Sequence, residues 1–312
     1  MQENNPFTRP GTPLIRDPGD KRFIDLLDSI GDRRIALLGV PWDWNITGRP
    51  GSRFSPATIR KYLYSSTTLH PELGEPACSL RDYGDVRVAP GDWVETRSRI
   101  KLAIQKVYRE EGNFIVIGGD HSITGPIIEA LLEKGSIGLL FLDSHYDMRS
   151  LSEGHSSGTW LRELYEKHGS NKIKTLLIGV GDYTNPPYLK KTASQYGVRV
   201  VSMWEIINNG ISTALEAIDE FSDIGVDQYY ISVDMDHLDQ SYAPGVNASN
   251  PLGMSPRETL LLLEHAVRKL NPVGIDFTEV SPLVDVADST SRLAASLIAH
   301  SIHFICTGVT RQ

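Results

Sequence analysis

Three side chains with ligand chemistry, Asp143, His145 and Asp147, alternate with other residues directly after the apolar run Ile137-Gly-Leu-Leu-Phe-Leu142. At that spacing an extended backbone aims all three the same way, and two carboxylates facing an imidazole are costly to desolvate unless a cation sits among them. Taken alone, the pattern also fits a polar loop after a strand. Three other clusters strengthen it. His121 closes Gly118-Gly-Asp-His after the apolar run 113–117, Asp234 and Asp236 follow Gln228-Tyr-Tyr-Ile-Ser-Val233, and Glu279 follows Pro272-Val-Gly-Ile-Asp-Phe-Thr278. Together His121, Asp143, His145, Asp147, Asp234 and Asp236 supply four carboxylates and two imidazoles. That is too much negative charge for one divalent ion and suits two, with Mn²⁺ favoured by the carboxylate-rich mixture and Ni²⁺ or Co²⁺ as alternatives. Two such metals activate a shared water near neutral pH, which is hydrolase chemistry.

The elements that must bring these groups together are legible in the pattern. Apolar runs without polar alternation predict strands at 34–39, 113–117, 137–142, 173–180, 198–201, 228–233 and 272–278. Helices are expected over 56–64 with Ser55 as N-cap, 95–111, from Ser122 or His121 to Glu133, and over 159–168, 186–195, 211–222, 255–270 and 287–305. The stretch containing Asp82-Tyr-Gly-Asp85 reads as irregular. Such alternation implies right-handed crossovers and a mostly parallel sheet. The expected architecture is a single three-layer α/β/α domain over residues 1–312, with 1–32 as an N-terminal arm or cap. Ligands bind outside the carboxyl ends of strands in such sheets, and all four clusters fall there. Gly118 and Gly119 allow a tight exit from their strand, without the glycine spacing of a nucleotide loop.

Composition excludes several classes. The chain has 312 residues, 40% hydrophobic and 22% charged, and its net charge of −8 comes with no basic run, which argues against nucleic acid. No apolar run approaches the roughly 18 residues of a membrane span. The N-terminus lacks a signal-peptide pattern, and Cys78 and Cys306 read as two separate buried thiols, so a cytoplasmic enzyme is expected. His237, His265, His300 and His303 read as surface or core histidines, and Asp120 and Asp239 as supporting or turn-stabilising carboxylates.

Gly118-Gly-Asp-His121, Asp143-Ser-His-Tyr-Asp147 and Ser232-Val-Asp-Met-Asp236 resemble the three signatures of the ureohydrolases, the arginase, agmatinase and formimidoylglutamase superfamily. Arg49-Pro-Gly-Ser-Arg-Phe-Ser-Pro56, Asp82-Tyr-Gly-Asp85, Tyr242-Ala-Pro-Gly245 and Glu279-Val-Ser-Pro282 keep the family order. The resemblance implies an arginase-like fold and a homo-oligomer, trimer or hexamer. It makes the six residues above ligands of two Mn²⁺, with Asp143 and Asp234 bridging. It gives Glu279 the cationic nitrogens of an amidine or guanidine and Asp147 the proton for the departing amine. Where arginases and agmatinases carry a loop histidine before Gly-Thr, this chain has Ser157, in Gly154-His-Ser-Ser-Gly-Thr159, and His155 is a candidate replacement. Ser-Ser-Gly-Thr, flanked by Arg149 and Arg162, looks more like formimidoylglutamases, as does Tyr242 to Ser249 with Asn247 beside Ala248. Arg149, Ser157, Arg162 and Asn247 are the expected substrate contacts. Trp160 stands where proline is common, and Gly179-Val-Gly-Asp182 lacks an arginine often found there. The resemblance therefore implies cleavage of N-formimidoyl-L-glutamate to L-glutamate and formamide. The alternatives are agmatine, guanidinobutyrate or another guanidine releasing urea, and, further off, a deacetylase-type amide hydrolase.

Overall fold

The computed structural model describes Asp17, residues 19–27 and residues 33–307. Most of the arm expected over residues 1–32 thus lies outside the described residues. Of its described part, Phe23–Leu27 forms a 3-10 turn that buries Phe23, Ile24 and Leu26.

All seven expected apolar runs are strands within a residue or two of their predicted bounds: β1 (Arg34–Gly39), β3 (Asn113–Ile117), β4 (Ile137–Leu142), β5 (Ile173–Val180), β6 (Arg199–Ser202), β7 (Gln228–Asp234) and β8 (Gly274–Thr278). With β2 (Ser79–Asp85) they form one sheet of order β2-β1-β3-β8-β7-β4-β5-β6. Each of its pairings is parallel. The stretch read as irregular is the edge strand β2. Its polar residues hid it, because only one side of an edge strand is hydrogen-bonded and its second half is not covered.

Alternate strand residues serve opposite faces. Ile115, Ile117, Leu140 and Leu142 join the core under α1 (Ser55–Ser65), α6 (Met203–Asn209), α7 (Ser212–Ser222), α8 (Pro256–Leu270) and α9 (Ser289–Thr307). Phe114, Val116, Leu139 and Phe141 join the core under α2 (Trp93–Glu111), α3 (Thr124–Leu132), α4 (Trp160–His168) and α5 (Pro187–Tyr196). This is the expected three-layer α/β/α arrangement. Ser55, expected as an N-cap, is instead the first residue of α1, and its hydroxyl donates to the Gly118 carbonyl, tying α1 to the exit of β3. The short helix α6 had no apolar periodicity long enough to read, although its Ser202–Glu205 capping box was there to be seen.

The cysteines correct the sequence reading. Cys78, just before β2, and Cys306, in the last turn of α9, are joined as a disulfide with a Cα–Cα separation of 5.7 Å. Their distance in sequence concealed that the last helix packs beside the sheet edge, and their pattern no longer supports a reducing compartment. Among the described residues no helix is long and apolar enough to cross a membrane.

Candidate metal centre

The sheet order explains how the four polar clusters meet. β3, β8, β7 and β4 are consecutive in the sheet, and their carboxyl ends deliver His121, Glu279, Asp234 with Asp236, and Asp143 with His145 and Asp147. At the exit of β3 the Trp42 carbonyl passes so close to Gly119 that a Cβ there would lie 1.7 Å from its oxygen, and the Asp120 N–H donates to that carbonyl. The glycine serves this close approach. Asp120 then accepts from the Ser122 and Asn45 N–H groups, opening the turn that carries His121. Asp239 likewise holds a turn by accepting from Ser241. His237 is a core histidine, bonded to the Asp234 carbonyl and Thr259.

After β4 the chain is not extended, as the alternating pattern suggested. The Asp143 carboxylate accepts from the His145 N–H at 2.6 Å, which makes a turn, and Asp147 has φ +50°. The turn, rather than a strand, aims these ligands. The Asn185 amide clamps the same loop, donating to the Ser144 carbonyl and accepting from the Tyr146 N–H.

Two groups that could hold a metal ion result, one of His121, Asp143 and Asp234 and one of Asp143, His145 and Asp236. Nδ1 of His121 lies 3.1 Å from Asp143 Oδ2, 3.0 Å from Asp147 Oδ2 and 3.1 Å from Asp234 Oδ2. Nδ1 of His145 lies 3.0 Å from Asp236 Oδ2 and 3.4 Å from Asp143 Oδ1. Asp143 therefore offers one oxygen to each group. Asp234 offers Oδ2 to the first, while its Oδ1 accepts from the Asp236 N–H. His121 Nδ1, Asp143 Oδ2 and Glu279 Oε2 are buried without a hydrogen-bond partner.

Electrostatics and hydrogen bonding both say that these residues fit cations. Burial, then the charges of Asp147 and Asp236, push the Asp143 carboxyl up to about 6. Burial, then Asp236 and Asp143, hold Asp234 well above the usual carboxylate range. Burial, then Asp234 and Asp120, do the same to Glu279. Burial would depress His121, but the carboxylates of Asp143, Asp147 and Asp234 facing its Nδ1 outweigh it and raise its pKa well above the ordinary value. A divalent ion among these ligands reverses this strain by favouring every deprotonated form. Behind His121, Nε2 lies 2.9 Å from Ser232 Oγ, and Ser232 donates onward to Asp276, which also accepts from Thr124 and Tyr230. Because the Ser232 proton goes to Asp276, its oxygen accepts from Nε2–H, which leaves the Nδ1 lone pair facing the carboxylates. Sequence reasoning passed over Ser232 and Asp276, although an aspartate inside an apolar strand was a visible signal.

A cavity of about 170 Å³ at this edge is lined by His121, His145, Asp147, Asp234, Asp236 and Glu279, and by Arg149, Ser157, Asn185 and Asn247. Glu279 has φ +67°, and its Oε1 accepts from the His121 N–H at 2.7 Å. Asn247 is delivered by a loop whose carbonyls at 244, 246 and 247 are held by the Arg49 guanidinium. Two expected contacts are not brought to the cavity. Arg162 pairs with Glu166 one turn along α4, and His155 pairs with Glu163 in an exposed loop. His155 lines only the outer vestibule, which shares Thr47 and Arg149 with the cavity. Proximity in sequence to Ser157 did not reveal that this loop turns outward.

The family model of the arginase family matches residues 33–303. The chain is 34% identical over 276 residues to the formimidoylglutamase of Halalkalibacterium halodurans, covering 86% of each chain. It is 32% identical over 269 residues to the mitochondrial agmatinase of Gallus gallus, covering 84% of this chain and 78% of that one. The crystal structure of Bacillus subtilis formimidoylglutamase superposes with a TM-score of 0.90 at 29% identity, over 98% of both chains. The eight-stranded parallel sheet, the ligand groups at its carboxyl edge and these likenesses agree: the chain belongs to the arginase family and is a hydrolase of that fold.

Proposed function

We propose that the chain hydrolyses N-formimidoyl-L-glutamate to L-glutamate and formamide, with two Mn²⁺ held by His121, Asp143, His145, Asp147, Asp234 and Asp236. The observation that carries this reading is Arg149. It lines the junction of cavity and vestibule, and among the described residues its guanidinium has no carboxylate partner. In a site crowded with aspartates, an uncommitted guanidinium suits a substrate whose tail is anionic. A dicarboxylate tail satisfies it, whereas agmatine would bring its free ammonium group against it. The likeness to formimidoylglutamases supports the same choice.

When bound, the cations supply Lewis acidity and activate water near neutral pH. The protein's own groups do the rest. Glu279 has one oxygen committed to the His121 N–H and the other unpaired, so Oε2 binds an amidinium N–H and orients the planar carbon. Asp147 Oδ1 has no hydrogen bond among the described residues and carries the proton to the departing nitrogen, while Oδ2 is held by the Trp160 N–H. Ser157 and Asn247 offer hydrogen bonds to the substrate beside Arg149.

A guanidine acid releasing urea is the second reading, because Arg149 accepts a single carboxylate as well. Product analysis separates them. Mn²⁺-loaded protein is expected to release formamide from formimidoylglutamate, and release of urea from guanidinobutyrate or agmatine without any formamide from formimidoylglutamate contradicts the proposal.

A further inference from the structure

Asp147 is held in an unusual way. Its backbone φ of +50° lies in the left-handed region, which side chains other than glycine rarely adopt, so no regular strand or helix dictates where its carboxylate points. One side chain does. The Trp160 indole N–H donates to Asp147 Oδ2 at 2.6 Å, inside a buried site where that bond has no water competing for it. The same Oδ2 lies 3.0 Å from His121 Nδ1. The indole ring packs against the His121 ring at 4.8 Å between centroids and against Phe141 at 5.8 Å, so its own position is fixed by the core under α4. Trp160 opens that helix and is 2% exposed.

We propose that Trp160 is a positioning residue: its indole N–H fixes the Asp147 carboxylate against His121, completing the ligand group at His121, and leaves Oδ1 for the substrate side. This rests on the reading of the six residues as a metal centre. A tryptophan suits the task because it donates one hydrogen bond and accepts none, so it cannot compete with the carboxylates for a cation.

The test is Trp160→Phe, which keeps an aromatic ring against His121 and Phe141 while removing the N–H together with part of the indole's volume, and the double variant with Asp147→Asn separates the two. Calorimetric titration of metal-stripped protein with Mn²⁺ is expected to show two ions bound by the wild type. In the variant one site should be unchanged and the other weakened about 10- to 100-fold. Turnover at saturating Mn²⁺ should fall in kcat, with KM moved less than about twofold. If Trp160 acts through Asp147, adding Trp160→Phe to Asp147→Asn should change Mn²⁺ affinity far less than it does in the wild type. Two ions bound with wild-type affinity by Trp160→Phe overturn the role of Trp160. A wild type that binds no Mn²⁺ overturns the metal centre and this inference with it. Should the variant not fold, the indole N–H resonance of the wild type decides: it should exchange slowly and shift on Asp147→Asn, and an indole N–H that does neither refutes the bond.

Discussion

Glu279→Gln isolates charge from shape in the step that recognises the substrate. Gln keeps a carbonyl where Oε1 accepts the His121 N–H at 2.7 Å, so the backbone at Glu279, with its φ of +67°, has no reason to move. What changes is Oε2, buried and unpaired, which becomes an N–H₂ donor facing a cationic amidine. A hydrogen bond to a charged group contributes about 1.5–3 kcal/mol, and leaving one buried charge unpaired costs about 3–5 kcal/mol. With the cavity open to the vestibule, about 2–4 kcal/mol is reasonable, or roughly 30- to 1,000-fold in kcat/KM. The melting temperature should move the other way. Glu279 is held well above its ordinary pKa by burial and then by Asp234 and Asp120, so neutralising it relieves the metal-free protein. Steady-state formamide release and thermal melts of metal-stripped protein check both halves. A variant within threefold of wild-type kcat/KM refutes the assignment of Glu279 to the amidinium.

Two further expectations concern stability. Burial alone would raise the Glu129 pKa, but hydrogen bonds from Arg97 and Lys167 outweigh it and hold the carboxyl at about 2, below its ordinary 4.5. A depressed carboxylate contributes stability that is complete above about 4.5 and lost as pH falls towards 2. The shift corresponds to at most about 3 kcal/mol, and screening at this partly open ion cluster reduces it to about 1–2 kcal/mol. Melts between pH 5 and 2.5 should therefore fall more steeply for the wild type than for Glu129→Gln, and parallel slopes contradict the ion cluster. The Cys78–Cys306 disulfide closes 228 residues of chain, for which about 2–4 kcal/mol is typical. Reduction should lower the melting temperature by roughly 4–8 °C. Unreduced, denatured protein should titrate no thiols, and two free thiols would disprove the pairing.

The residues that built the site were readable because a parallel sheet turns sequence position into spatial position. Apolar runs ending in Asp143, Asp234 and Glu279 mark strand ends, and strand ends in such a sheet share one edge. Reading failed where periodicity carries no information. Asp82-Tyr-Gly-Asp85 sits in an edge strand with little apolar face. The 228-residue span between Cys78 and Cys306 says nothing about whether α9 returns to β2. Loops were the least legible: Arg149 and Arg162 flank the same segment, yet one lines the cavity and the other pairs with Glu166 on the outside of α4. Trp160 stood out only as a residue where proline was expected, and its hydrogen bond to Asp147 belongs to tertiary structure alone.

On the proposed reading, Arg149 and the metal-holding groups together select an acid-tailed amidine. A single competition measures it: Mn²⁺-loaded protein given equal concentrations of formimidoylglutamate and agmatine, with formamide and urea followed in the same vessel. At equal concentrations the ratio of the two initial rates is the ratio of the two kcat/KM values. A charge-assisted bond made by one substrate and not by the other, about 1.5–3 kcal/mol, gives a preference of roughly 10- to 150-fold. Formamide should therefore dominate from the first minutes. Urea forming faster than formamide contradicts selection of an acid-tailed amidine by Arg149.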